Sequence, residues 1–120
     1  MDEIYNFMAS PVFSIDAQAT VEEGAKYLCD NNVSSLLVKE NEEYVGIVTQ
    51  TDLVERVLAK GLDPKTIRMI SIMSEPILKM DHYLTRRDAH EFMIGKNIKH
   101  LAVTKHGKIV GLLTLRDMLS

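Results

Sequence analysis

The sequence contains no tryptophan and one cysteine, Cys29. Without tryptophan, aromatic stacking falls to a few tyrosines and phenylalanines. A single cysteine cannot close an internal disulfide, so the fold does not depend on an oxidising compartment. Cys29 lies inside an amphipathic pattern and is expected to be a small buried hydrophobe rather than a nucleophile. No apolar run approaches the ~18 residues that a membrane-spanning helix needs. The acidic start, residues 1–10, lacks the apolar core of a signal peptide. A cytoplasmic location without membrane contact is expected. The histidines, His82, His90, His100 and His106, match no metal-ligand spacing, and no nucleophile and base converge. Neither a metal site nor an enzymatic activity is expected.

What is present fits a folded domain. The chain has 120 residues, 46% of them apolar and 26% charged, within the range of globular proteins rather than disordered ones. The net charge of −3 is unevenly spread. Residues 1–60 hold 4 Lys+Arg against 11 Asp+Glu, a balance of −7. Residues 61–120 hold 10 against 6, a balance of +4, and all four histidines. Such asymmetry points to an anion site in one half or to attraction between halves. The basic residues are scattered in sequence and no cluster interleaves them with aromatics, so a nucleic-acid face is not expected.

An internal repeat organises the chain. A shift of 65 residues aligns Met8 with Met73, Pro11 with Pro76, Asp16 with Asp81 and Thr20 with Thr85. The same shift, without a gap, aligns Asn32 with Asn97, Leu36 with Leu101 and Val38 with Val103. It then aligns Val45 with Val110, Gly46 with Gly111, Thr49 with Thr114 and Asp52 with Asp117. These are 11 identities over the 46 positions from Met8 to Leu53, where chance would supply about three.

Each copy reads as β-α-β-β-α. Thr20-Val-Glu-Glu23 is a capping box, and Val21, Ala25 and Leu28 recur at helical spacing until Asn31-Asn32. In the second copy Thr85-Arg-Arg-Asp88 opens a helix bearing Ala89, Phe92 and Met93, with Gly95 as the expected C-cap. Strands follow at 35–39 and 100–104, then turns at 41–43 and 106–108, then strands at 44–49 and 109–114. Asp52 stands at the start of a helix expected over Leu53–Lys60, and Asp117 at the start of a corresponding helix that reaches the last residue, Ser120; for each, a role as N-cap alone is the alternative to a ligand contact. Gly61 and Pro64 mark a linker. The expected division is residues 1–60 for copy one, 61–71 for the linker and 72–120 for copy two. A unit this small leaves a sheet face bare, and two units can cover each other. Leu36, Val38, Ile47, Leu101, Val103 and Leu112 are therefore expected to share one core.

This pattern resembles the CBS-domain pair, or Bateman module. The resemblance rests on Met8-Ala-Ser-Pro11 and Met73-Ser-Glu-Pro76, which open the copies, and on Gly46-Ile-Val-Thr-Gln-Thr-Asp52 and Gly111-Leu-Leu-Thr-Leu-Arg-Asp117, which close them. It covers the chain from about Asn6 onward. It implies an α+β fold, a tandem CBS-domain pair of two β-α-β-β-α repeats related by a pseudo-two-fold axis. It also implies a flat homodimer formed through helices such as the one bearing Leu53, Val54, Val57 and Leu58.

The function implied by the resemblance is regulatory: binding of adenosine-containing ligands, AMP, ADP, ATP or S-adenosylmethionine, in the cleft between repeats. No resident cofactor is implied. The regulated effector protein is unknown, acting in trans or carried outside this sequence. Thr49, Thr51, Asp52, Thr114 and Asp117 are the implied ribose ligands, since an ionised Asp accepts hydrogen bonds from both ribose hydroxyls. The segments after Met-x-x-Pro, Val12, Phe13 and Ser14 with Ile77 and Leu78, would meet adenine. The Asp52 site would receive Lys99, His100 and Arg116 as phosphate ligands. The Asp117 site would receive Ser34, Ser35 and Thr51, which are neutral and suit neutral or cationic adenosyl compounds. Arg86 and Arg87 are read as exposed first-turn residues, with an anion contact as the alternative. The competing function is a ligand-free assembly module that only folds and dimerises.

Overall fold

The computed structural model describes residues 2–119. They form two compact units, one continuous, Phe13–Ile77, and one split, the stretch up to Val12 together with Leu78 onward. The continuous unit contains β1 (Ser14–Asp16), α1 (Val21–Asn31), β2 (Ser35–Glu40), β3 (Glu43–Thr49), α2 (Gln50–Leu53) and α3 (Met69–Ile72). The split unit contains a 3-10 turn (Ile4–Asn6), β4 (Lys79–Asp81), α4 (Arg86–Lys96), β5 (His100–Lys105), β6 (Lys108–Thr114) and a second 3-10 turn (Arg116–Leu119). Each has a three-stranded sheet, ordered β1-β2-β3 and β4-β5-β6. The outer pair β1–β2 or β4–β5 is parallel, as expected where a helix makes the crossover, and the hairpin pair is antiparallel.

The helices begin where the capping boxes are written. Thr20 Oγ1 accepts from Glu23 N at 3.1 Å and Glu23 Oε1 accepts from Thr20 N at 2.9 Å. Thr85 and Asp88 repeat the exchange at 3.1 Å each way. Both helices end on a left-handed asparagine, Asn32 (φ 52°) and Asn97 (φ 54°). Gly95 is therefore not the cap: it lies inside α4, and the side chain of Asn tolerates the left-handed conformation that ends the helix. Cys29 is exposed, against expectation. The buried face of α1 is Val21, Gly24 and Leu28, and Cys29 sits one residue past it.

Each unit has its own apolar core. Leu36, Val38 and Val48 face α1 residues Val21 and Leu28 in the continuous unit. Leu101, Val103 and Leu113 meet Ala89 and Met93 of α4 in the split unit. The expected single core is thus corrected to two. Strand alternation puts Ile47 and Leu112 out of these clusters, because they pair across the hairpin with Leu37 and Ala102 rather than with Leu36 or Leu101.

The leading segments of the repeats are exchanged. Ile4, fully buried, fills the core of the split unit, and Met69, its equivalent in the 65-residue repeat, fills that of the continuous unit. Met8 packs over Gly111 and Met73 over Gly46. Ala9 exchanges backbone hydrogen bonds with Leu112 (2.8 and 3.1 Å), and Ser74 with Ile47 (2.8 and 3.0 Å). Residues 1–60 and 72–120 are units of sequence, whereas compactness groups the start of each copy with the body of the other. The stretch 61–71, mostly exposed, is hydrogen-bonded within the continuous unit. Ile67 O accepts from Val21 N, Pro64 O from Glu22 N, and Met69 N donates to Ala19 O, all at 2.9 Å.

Candidate functional site

The closing motif stands at the end of β3, opposite the hairpin turn. Thr49 has extended backbone (φ −115°) and is the N-cap of α2, with Asp52 at the third helical position. The helix after β3 was expected over Leu53–Lys60, with Asp52 just ahead of it. Instead the helix starts at Gln50, and its later turn, Val54–Leu58, is π-helical. Thr49 N donates to Asp52 Oδ2 at 2.8 Å, and Asp52 N donates to Thr49 Oγ1 at 3.3 Å. Asp52 Oδ1 faces Arg56 Nε at 3.5 Å. Asp52 is buried, 9% exposed, while Thr51 is exposed.

The second motif repeats this geometry. Thr114 N donates to Asp117 Oδ2 at 2.9 Å, and Asp117 N donates to Thr114 Oγ1 at 3.1 Å. Lys99 precedes β5 and Arg116 follows β6. The register His100↔Thr114 and the bond Leu115 N to Lys99 O (2.9 Å) put Lys99, His100, Thr114 and Arg116 at one end of the split unit. Ser34 and Ser35 hold the same place beside Thr49 in the continuous unit, through Ser35↔Thr49 and Gln50 N to Ser34 O at 3.1 Å. Thr49, Thr51 and Asp52 thus belong to one unit, and Lys99, His100 and Arg116 to the other.

The segments expected to meet adenine lie where the chain passes from unit to unit. Val12 ends one stretch of the split unit and Phe13 begins the continuous unit; Ile77 and Leu78 mark the return. Phe13 O accepts from Leu37 N at 3.0 Å, and Leu78 O from Ala102 N at 3.1 Å. Phe13 is half-buried with its ring edge-on to Tyr27 (6.2 Å between centroids), Ser14 opens β1, and Ile77 is buried.

Two arginines have structural roles the sequence reading missed. Arg56 links Asp52 to backbone carbonyls, donating to Ile72 O at 3.0 Å and Met73 O at 3.2 Å. Its four-residue spacing from Asp52 was the available signal. Arg86 is half-buried rather than exposed: Nε donates to Asp2 Oδ1 at 2.7 Å, and the guanidinium lies 4.4 Å from the Phe7 ring centroid. It clamps the N-terminal segment. Arg87 is exposed and pairs with Glu91 at 3.4 Å. Among the described residues, no helix is long and apolar enough to cross a membrane, and no group of three or more His, Cys, Asp or Glu could hold a metal ion.

Comparison with known proteins agrees with this geometry. The family model of the CBS domain matches twice, over residues 3–59 and 69–120. An uncharacterised protein of Methanopyrus kandleri is 32% identical over 87 residues, 72% of this chain and 44% of that protein. The CBS domain-containing protein YhcV of Bacillus subtilis is 25% identical over 118 residues, 98% of this chain and 84% of the relative. The solved structure of a hexameric CBS-CP12 protein from bloom-forming cyanobacteria superposes with a TM-score of 0.91 at 28% identity, covering 98% of this chain and 70% of that one. With a capped Thr-x-x-Asp turn closing each matched region, the chain belongs to the CBS domain family and carries two CBS domains in tandem.

Proposed function

We propose that this chain senses adenosine-containing ligands. Tandem CBS pairs are generally regulatory ligand-binding modules. In the finer reading, Asp52 with Thr49 and Thr51 binds the ribose of AMP, ADP or ATP, and Lys99, His100 and Arg116 bind phosphate. Thr114 and Asp117 bind the ribose of neutral or cationic adenosyl compounds such as S-adenosylmethionine. Val12, Phe13, Ser14, Ile77 and Leu78 meet adenine. The supporting observation is the burial of Asp52. Among the described residues, Glu23, Asp52, Asp88 and Asp117 each close a capping box; Glu23 and Asp88 are exposed, whereas Asp52 is buried and Asp117 half-buried. A cap needs no burial. A carboxylate held in one rotamer loses little freedom when it accepts ribose hydroxyls. This reading has no catalytic step and suits the cytoplasm, where such ligands meet an effector protein.

Calorimetric titration with AMP, ADP, ATP, adenosine, S-adenosylmethionine and inorganic phosphate tests it. Saturable heat is expected with adenosyl compounds and not with phosphate alone. No heat with any adenosyl compound leaves the assembly reading. That second reading is favoured by Val54 and Leu58, which are 55% and 65% exposed one helical turn apart. A homodimer is proposed through this face, and light scattering over a concentration series reads it.

A further inference from the structure

The two β-hairpin tips occupy equivalent places in the repeats and carry opposite charge. The tip between β2 and β3 runs Lys39-Glu40-Asn41-Glu42-Glu43, and the tip between β5 and β6 runs Thr104-Lys105-His106-Gly107-Lys108. The repeat aligns Glu40 with Lys105 and Glu43 with Lys108, so charge is inverted at both strand ends. Asp16, at the end of β1, pairs in register with Lys39 and adds a carboxylate to the acidic tip. Asp81 holds the same place at the basic tip, so these two carboxylates do not distinguish the tips: Asp81 Oδ1 accepts from the Thr104 hydroxyl at 2.6 Å and Asp16 Oδ1 from Gln18 N at 2.8 Å.

Both tips carry aromatic rings, but differently: at the acidic tip Lys39 Nζ lies 5.8 Å from the Tyr44 centroid and 3.6 Å from Glu42 Oε2, whereas the basic tip rests on a cluster of three rings. His82 N donates to Thr104 O at 2.8 Å, which sets the His82 ring beside the tip. That ring meets Tyr5 and Tyr83 edge-on, at 6.0 and 5.6 Å between centroids, and the Lys105 ammonium lies 5.0 Å from the Tyr5 centroid. Tyr5 is 42% and Tyr83 58% exposed. The repeat places Ile70, Ala17 and Gln18 at the positions equivalent to Tyr5, His82 and Tyr83. Tyr5 arrives from the other end of the chain, so this cluster is invisible in sequence.

Neither the fold nor the nucleotide-binding motif explains the inversion. Both tips are two-residue turns with positive φ, Asn41 (50°) and Glu42 (68°) against His106 (54°) and Gly107 (76°). Glu42 thus keeps a carboxylate in a left-handed conformation that disfavours it, where the second repeat has glycine. The acidic tip lies about 20 Å from Thr49, the length of β3 at ~3.3 Å per residue, beyond the reach of a ligand held there.

We propose that the acidic tip of one copy docks on the basic tip, with Tyr5 and Tyr83, of a second copy. Such a contact joins unlike tips of two copies. The inference rests on the self-association proposed above and adds which surfaces meet: a contact between like tips would set like charges together. Exposed complementary charges govern orientation and encounter rate more than affinity, and salt screens them within ~8–10 Å. The two tyrosines supply the apolar contact area.

Charge exchange tests it. K105E/K108E makes both tips acidic, and E40K/E42K/E43K makes both basic. In sedimentation velocity at low salt, each variant alone is expected to self-associate about tenfold more weakly than wild type. An equimolar mixture is expected to recover wild-type association, which also shows that both variants are folded. Raising the salt to ~0.5 M should erase the differences. Wild-type association in both variants alone overturns the docking of tips and leaves the helix-face dimer standing. Monomers in wild type and mixture alike overturn both. Binding of a single-stranded oligonucleotide that K105E/K108E abolishes, without change in self-association, reassigns the basic tip to nucleic acid.

Discussion

Thr49 and Asp52 hold each other reciprocally: the backbone N–H of Thr49 donates to Asp52 Oδ2 at 2.8 Å, and the backbone N–H of Asp52 donates to Thr49 Oγ1 at 3.3 Å. One carboxylate oxygen is thereby committed to the helix start. The other faces Arg56 at a distance too long for a strong hydrogen bond. Asp52 therefore serves the fold as well as the proposed ligand, and a binding test must separate the two.

Asp52→Asn and Asp52→Ala separate them. Asn keeps an oxygen for the Thr49 N–H, so urea denaturation should show less than about 1 kcal/mol of lost stability, against about 1–2 kcal/mol for Ala. Both variants lose the charged acceptor, so calorimetry should show adenosyl affinity about thirtyfold weaker in each, roughly 2 kcal/mol. Full affinity in Asp52→Asn returns Asp52 to a capping role alone.

Phosphate recognition should reside in Lys99 and Arg116. Replacing both by Gln is expected to erase the preference for AMP over adenosine and to leave adenosine binding nearly intact. In wild type the preference should shrink with added salt. Equal, weak binding of any anion by wild type would make these residues surface charge only.

The closing-motif glycines should be intolerant of a methyl group. A Cβ on Gly46 would collide with the Met73 side chain and lie 3.0 Å from Ser74 O; on Gly111 it would meet Met8 and lie 2.9 Å from Ala9 O. Gly46→Ala and Gly111→Ala are each expected to destabilise by about 1–3 kcal/mol in urea denaturation. Met73→Ala should not restore Gly46→Ala, because the carbonyl of Ser74 is held by the backbone bridge to Ile47. Full restoration would show that only the methionine resists the methyl group.

Acid sensitivity should include Glu23. Its carboxylate accepts from the backbone and side chain of Thr20, and Arg68 adds a favourable charge, so its pKa lies below the ordinary 4.5. A depressed carboxylate contributes stability above its unfolded value and loses that contribution as pH falls through its folded value. The stability difference between wild type and Glu23→Gln should stay constant from neutral pH down to about 5 and shrink below 4.5. A difference that does not change with pH would assign Glu23 no charge-dependent part.

Much of the local structure was legible because it is written in neighbouring residues. The Thr20 and Thr85 capping boxes lie within four residues, and the hairpin turns and strand alternation are as local. The start of the helix after β3 was placed three residues late because Asp52 and Thr49 each have the chemistry of a cap, and only backbone conformation selects between them. Cys29 was misplaced because the buried face of a short helix is narrow and one residue turns the side chain by about 100°.

By itself the sequence determined the duplication, the β-α-β-β-α order of each copy and the Thr-x-x-Asp turn that closes it. Each of these is specified by residues within a few positions of one another or by identity at a fixed shift. Only the tertiary structure decided that each opening Met lies over the glycine of the other copy, and that Tyr5 joins His82, Tyr83 and Lys105 beside a basic tip. The physical reason is that such pairings are set by which apolar face can be buried by which distant segment. Ile4 and Met69 occupy equivalent positions in the repeat, and nothing local in the chain states which core each fills.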